Sequence, residues 1–239
     1  MKSKLKALVL LFSLLSTSHI FASEKDIYEF SWLDPDKEVY VLQNRKFRKA
    51  GHLHINAGGG ITTSGAFVTS TAIQGRVGYF MTEDFGIEGL YSKNNGKEND
   101  TAKGVRNTGG AGTGVTPFRR IVDNYWGVMA LWSPFYSKIN TFNKIVYMDW
   151  IFGLGYSQLK EKNNKNKFLL LAGDPNANVE TLESHSGVMW EAGMKFYLDP
   201  NFSIRADLTS VLYSANNVST SGTSLKTNYD ATLSLGYSF

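Results

Sequence analysis

Eight ionisable side chains recur at alternate positions within otherwise apolar runs: Arg76, Glu88, Asp149, Glu191, Lys195, Arg205, Asp207 and Asp230. Carboxylates and guanidiniums sharing one enclosed face can lock as ion pairs around trapped water, line a narrow conducting path, or pass protons. Isolated charge removed from water is costly, so mutual pairing is the expected arrangement. Glu191 and Lys195 are four residues apart, about 13 Å along an extended chain. Each should therefore find its partner on a neighbouring strand.

The other constellations promise less chemistry. His52 and His54 share one face of an extended chain, a spacing that suits two metal ligands. The chain has no cysteine, however, and beyond the leader described below only His185 is left to help. Two polar residues at the mouth of the fold is the preferred reading. Gly109 to Gly114 resembles a phosphate loop but lacks the Lys-Ser/Thr ending and opens no helix, so it reads as a loop tip. His185 has Ser184, Ser186 and Glu183 beside it, yet neighbours of alternating direction make poor triad geometry. No catalytic, cofactor-binding or metal residue is assigned, and no cofactor is called for.

The elements that position these residues have a period of two. From Lys226 to Phe239 one face reads Thr227, Tyr229, Ala231, Leu233, Leu235, Tyr237, Phe239, and the other Lys226, Asn228, Asp230, Thr232, Ser234, Gly236, Ser238. A strand separates these sets; a helix would mix them. The pattern predicts eight strands, at 52–61, 71–81, 85–93, 122–133, 143–156, 186–198, 201–214 and 226–239. Around Trp126 to Trp132 both faces are apolar and the phase stays open. Connections after strands two, four and six are short (Thr82 to Asp84, Pro134 to Thr141, Asp199-Pro200), while those after strands one, three, five and seven are longer and polar. Short periplasmic turns alternating with long external loops are the habit of outer-membrane barrels. Tyr229 and Phe239 share the outward face ten residues apart. At ~3.4 Å per residue and a tilt near ~40° they stand about 26 Å apart along the axis, the height of the apolar band between aromatic girdles. Tyr213 and Phe202 sit similarly, although their odd separation demands a bulge.

The N-terminus carries Lys2, Lys4 and Lys6, then an apolar run from Ala7 to Leu15, then Ala22. That is a secretory leader with cleavage expected near Ala22; the run is too short for an anchor. The chain has 25 Lys and Arg against 21 Asp and Glu. Taking away the three leader lysines leaves 22 against 21, so the basicity belongs to the leader and gives no warrant for nucleic-acid binding. Residues 1–22 are thus assigned to the leader and 23–50 to a periplasmic lead-in, with insertion as a plug the alternative. Residues 51–239 are assigned to an all-β, eight-stranded antiparallel up-and-down transmembrane barrel. A soluble ligand-binding barrel would want an apolar interior, whereas the alternate face here is polar and charged.

The final strand resembles the C-terminal signal by which bacterial outer-membrane proteins are recognised for assembly. Leu233, Leu235, Tyr237 and Phe239 fill its four places. From Val39 to Phe239 the chain also resembles an outer-membrane β-barrel domain family common in myxobacteria and their relatives. The likeness rests on Val39 to Phe47, Gly78-Tyr79-Phe80, Pro134 to Lys138 and Asp149 to Gly155. It implies an eight-stranded barrel in the outer membrane of a Gram-negative cell, of OmpA-like or OmpW-like architecture, and no activity.

The expected partners are outer-membrane lipids and lipopolysaccharide, and the barrel-assembly machinery through the last strand. Lys93, Lys97, Lys103, Arg106, Arg119 and Arg120 could meet lipopolysaccharide phosphates, and Arg45, Lys46, Arg48 and Lys49 the inner leaflet. No loop names an extracellular partner. The expected role is structural or surface-interacting, through four external loops. A narrow passive pore for small or hydrophobic solutes is the alternative, and a lipid-modifying enzyme the third reading.

Overall fold

A computed structural model describes residues 45–63, 65, 67–107, 117–141, 144–169, 179–217 and 222–239. The leader, most of the lead-in and the glycine-rich tip at 109–114 lie outside these residues. Residues from Lys46 onward form one compact unit. Its strands are β1 (Leu53–Thr63), β2 (Val68–Phe80), β3 (Phe85–Glu98), β4 (Arg120–Trp132), β5 (Tyr136–Thr141), β6 (Lys144–Asn163), β7 (Thr181–Tyr197), β8 (Phe202–Asn216) and β9 (Thr223–Ser238). Two short helices, α1 (Asp100–Asn107) and α2 (Asn166–Leu169), lie in external connections. Among the described residues no helix is long and apolar enough to cross a membrane.

Every pairing is antiparallel, in the order β1-β2-β3-β4-β6-β7-β8-β9. The ring closes where β1 meets β9, from His54 opposite Ser238 to Thr63 opposite Tyr229. Closure leaves these eight strands no unpaired edge in lipid. The predicted eight-stranded barrel is therefore what forms.

The exterior is apolar where a water-soluble protein would be polar. Ile73, Leu154, Leu233 and Leu235 are 60–72% exposed. Tyr91, Trp126, Tyr156 and Tyr229 stand toward the loop ends, and Tyr79, Phe85, Trp132, Phe202 and Tyr237 toward the turns. This is a hydrocarbon-facing band between two aromatic girdles. On β4 the open phase resolves with Trp126, Val128, Ala130 and Trp132 outward and Tyr125, Met129 and Leu131 buried.

Four sequence expectations need correction. Pro134 to Thr141 is not a turn but a break followed by β5, which pairs with the first residues of β6. Pro134 has no N–H for the ladder, and pairing resumes just after it, where Trp150 N donates to Phe135 O (3.1 Å). The strands also run past the predicted outer ends, β6 to Asn163, β3 to Glu98 and β7 from Thr181. Outside the membrane both faces are wet, so the alternation that marks a strand fades there. Tyr213 is no girdle residue. β8 and β9 pair without a bulge, Tyr213 faces inward, and its hydroxyl donates to Glu161. Finally, the interior is not purely polar: Leu90, Met129, Leu159, Met189 and Val211 form an apolar layer in it.

The closing seam is tight. A Cβ at the lumen-facing Gly60 would lie 1.9 Å from the Ala231 carbonyl oxygen. Gly60→Val should cost about 1–3 kcal/mol of stability through overpacking, read as a lower urea midpoint of the refolded barrel. An unchanged midpoint would show that the seam has slack.

Candidate functional site in the lumen

Eight strands enclose a space just wide enough for side chains to fill. Here the charged residues fill it in tiers, because every inward position of a strand adds one group to a stack.

The middle tier crosses the barrel. Arg205 on β8 donates to Glu88 on β3 (2.6 Å), Glu191 on β7 (2.5 Å) and Asp207 (2.7 Å). Arg76 on β2 donates to Glu88 (3.0 Å) and to Glu191. Glu88 also meets His54 Nε2 at 2.8 Å. Both glutamates thus sit between two guanidiniums, and opposite walls are tied together. All four of these arginine and glutamate side chains are at most 1% exposed. Charge-assisted bonds in such a buried place are strong, and losing one partner strands the rest.

Toward the loops, Asp230 accepts from Tyr125 OH (2.6 Å), Gln74 Nε2 (3.0 Å) and Asn228 Nδ2 (2.7 Å). Toward the periplasm, Asp149 binds Lys49 Nζ (2.9 Å) and the hydroxyl of Tyr197 (2.5 Å). Lys49 also reaches Ser133 Oγ at 2.5 Å. Phe47 stacks on Tyr197 with ring centroids 4.8 Å apart. Residues 47–49 therefore occupy the periplasmic mouth. At the outer mouth Glu161 accepts from Arg120 (3.3 Å) and Tyr213 (3.1 Å).

The structure joins Arg76, Glu88, Glu191, Arg205 and Asp207 in one network, links Asp230 to it through Gln74, whose Oε1 accepts from Arg76 Nη2 (3.0 Å), and gives Asp149 a separate one. Lys195 departs from expectation. Among the described residues it has no carboxylate within 4.0 Å and donates instead to Ser238 Oγ (3.2 Å), two strands away. His52 and His54 do not converge: His54 is buried on Glu88, while the exposed His52 meets the Phe239 carbonyl. His185 is 3.6 Å from Glu183 and 3.9 Å from Glu161. These three could approach a metal ion, but Arg120 and Lys165 already bind the two carboxylates. Ser184 and Ser186 point away from the ring side of β7. Sequence reasoning missed Tyr125, Gln74, Tyr197 and Lys49. Their inward phase was readable for Gln74, beside Arg76, and for Tyr197, beside Lys195, but nothing local announces what a neutral group will bond.

A closed antiparallel ring with a lipid-facing band and a charged interior is an outer-membrane architecture, and the sequence profile of the outer membrane protein beta-barrel domain matches residues 44–239. The chain belongs to that family. No curated protein matches it. Among solved structures this outer-membrane barrel is similar to the N-terminal β-barrel domain of Pseudomonas aeruginosa OprF, at 17% identity and TM-score 0.47, covering 80% of this chain and 98% of that one. It is also similar to Ail, the attachment invasion locus protein of Yersinia pestis, at 17% identity and TM-score 0.44, covering 80% and 99%. Pseudomonas aeruginosa OprG is similar at 14% identity and TM-score 0.40, covering 81% and 98%. The family places the barrel in the outer membrane; its lumen chemistry is this chain's own.

Proposed function

We propose that this outer-membrane barrel is closed and non-catalytic, and acts through its external surface and its contribution to the envelope. The observation that carries this reading is the middle tier. Arg76, Glu88, Arg205 and Glu191 link β2 and β3 to β7 and β8 with side chains buried from solvent. The Lys49–Asp149 pair and Phe47 fill the periplasmic mouth as well. A solute path would have to break several charge-assisted bonds at once.

The outer rim, by contrast, is built to hold a shape. Arg119 joins Glu98 at the end of β3 to Glu180 just before β7, and Phe118 packs edge-on against Phe168 at 5.8 Å. Two external connections are thereby clasped at their feet, which suits display of a surface.

Planar-bilayer recording of the purified full chain tests the closed state. Wild type should insert without unitary current steps at moderate voltage. Steady ohmic conductance would overturn this reading in favour of a passive pore.

A further inference from the structure

We propose that the lipid-facing side of β3, β4 and β6 carries a binding site for the phosphorylated headgroup of an outer-leaflet glycolipid. The proposal rests on the outer-membrane reading and adds to it a partner and an address.

Lys93 on β3 is opposite Asn124 on β4, which in turn is opposite Lys160 on β6. All three lie on the outer face, because two residues toward the membrane, before Lys93 in β3 and after Asn124 in β4, stand the girdle residues Tyr91 and Trp126. A register shift between Val122 and Asn124 inserts Asp123 as an extra residue. The bulge turns its carboxylate between two lysines: Lys93 Nζ lies 2.6 Å from one oxygen and Lys162 Nζ 2.5 Å from the other. Bulges re-aim side chains in this way. Asp123 therefore holds two ammonium groups at fixed spacing, and Lys160 is exposed beside them.

The rest of the rim lacks this charge. At the loop ends of β1, β2, β8 and β9 the outward residues include Thr63, Thr71, Ser214 and Thr227. Glu98 and Glu180, which share a shallow pocket with Lys162, are both bound by Arg119. Positive charge is thus concentrated on one sector, one step above aromatic residues of the kind that mark headgroup depth. Lysines there lay their stems along the acyl boundary and lift their ammonium groups into the headgroups. A phosphate monoester on a lipid, with several acceptor oxygens and up to two negative charges, complements such a group. Elsewhere in this connection Lys103 pairs with Asp100 and Arg120 with Glu161, one carboxylate to each cation, whereas Asp123 is shared between two lysines and leaves one positive charge in excess.

The test uses the refolded full chain in detergent micelles at low ionic strength, titrated with lipopolysaccharide, with dephosphorylated lipopolysaccharide and with inorganic phosphate. The triple variant K93Q/K160Q/K162Q should lose about a hundredfold in affinity for the phosphorylated lipid, at roughly tenfold or less per surface cation. It should bind the dephosphorylated lipid as wild type does. K160Q alone, at an exposed position, should lose several-fold and serves if the triple variant misfolds. The charge-matched variant K138Q/K144Q/K226Q should bind like wild type. Equal affinity in the site variants, or an equal loss in the charge-matched variant, would overturn the proposal. Displacement of the lipid by inorganic phosphate at similar concentration would also overturn it, making this a soluble-anion site. Failure of the outer-membrane reading would show separately, as wild-type protein recovered in the soluble periplasm of fractionated cells.

Discussion

Replacing Arg205 by methionine should destabilise the refolded barrel by about 3–5 kcal/mol, the usual cost of leaving buried charges without their partner. Arg205 is bonded to three carboxylates, Glu88, Glu191 and Asp207. Without it, Arg76 and His54 would be left to face the three buried carboxylates. The measurement is urea unfolding in detergent, followed by tryptophan fluorescence. The double variant R205M/E88L should recover part of the loss, because an apolar pair of similar volume can replace a buried ion pair at little cost. A loss below about 1 kcal/mol for R205M would mean that water enters the tier. In that event the closed-lumen reading would weaken with it.

Deleting Phe239 should produce the opposite dissociation between stability and yield. The residue is 60% exposed, and its ring packs edge-on against Tyr237 at 4.9 Å. Its amide donates to Leu53 O at 2.9 Å, one bond of the closing seam. Losing these should cost the refolded barrel only about 1 kcal/mol. If the terminal strand is read by the assembly machinery through Leu233, Leu235, Tyr237 and Phe239, the amount of assembled protein in cells should fall several-fold or more. L233K makes the contrast. A charge at the middle of the lipid face costs about 2–4 kcal/mol, so it should weaken the refolded barrel as well. Immunoblotting of heat-modifiable barrel in outer-membrane fractions reads the first effect, and urea midpoints read the second. Normal cellular levels without Phe239 would remove the terminal residue from any recognition role.

The eight strands of the ring, the inward phase of most of them and the fold class were legible in the residues because a side-chain period of two is local, whereas β5, the phase of β4 and the face of Tyr213 were not. Each strand in the lipid zone must put apolar groups on one side whatever its neighbours are. That logic placed Arg76, Glu88, Asp149, Glu191, Lys195, Arg205, Asp207 and Asp230 inward from sequence alone, and all eight are buried. The same logic ended each strand too early, since above the girdles water wets both faces and the alternation disappears.

What only the tertiary structure decided is who meets whom. Register and closure bring Arg76 and Glu191, separated by 115 residues, into one tier. They leave Lys195 with a serine rather than the carboxylate its strand position suggested. The bulge at Asp123 and the break at Pro134 were equally hidden. One depends on how two strands align, and the other on a partner strand that resumes pairing past the proline. Chain sequence determines which face a side chain takes; partners across a closed ring depend on shear and stagger, properties of all eight strands together.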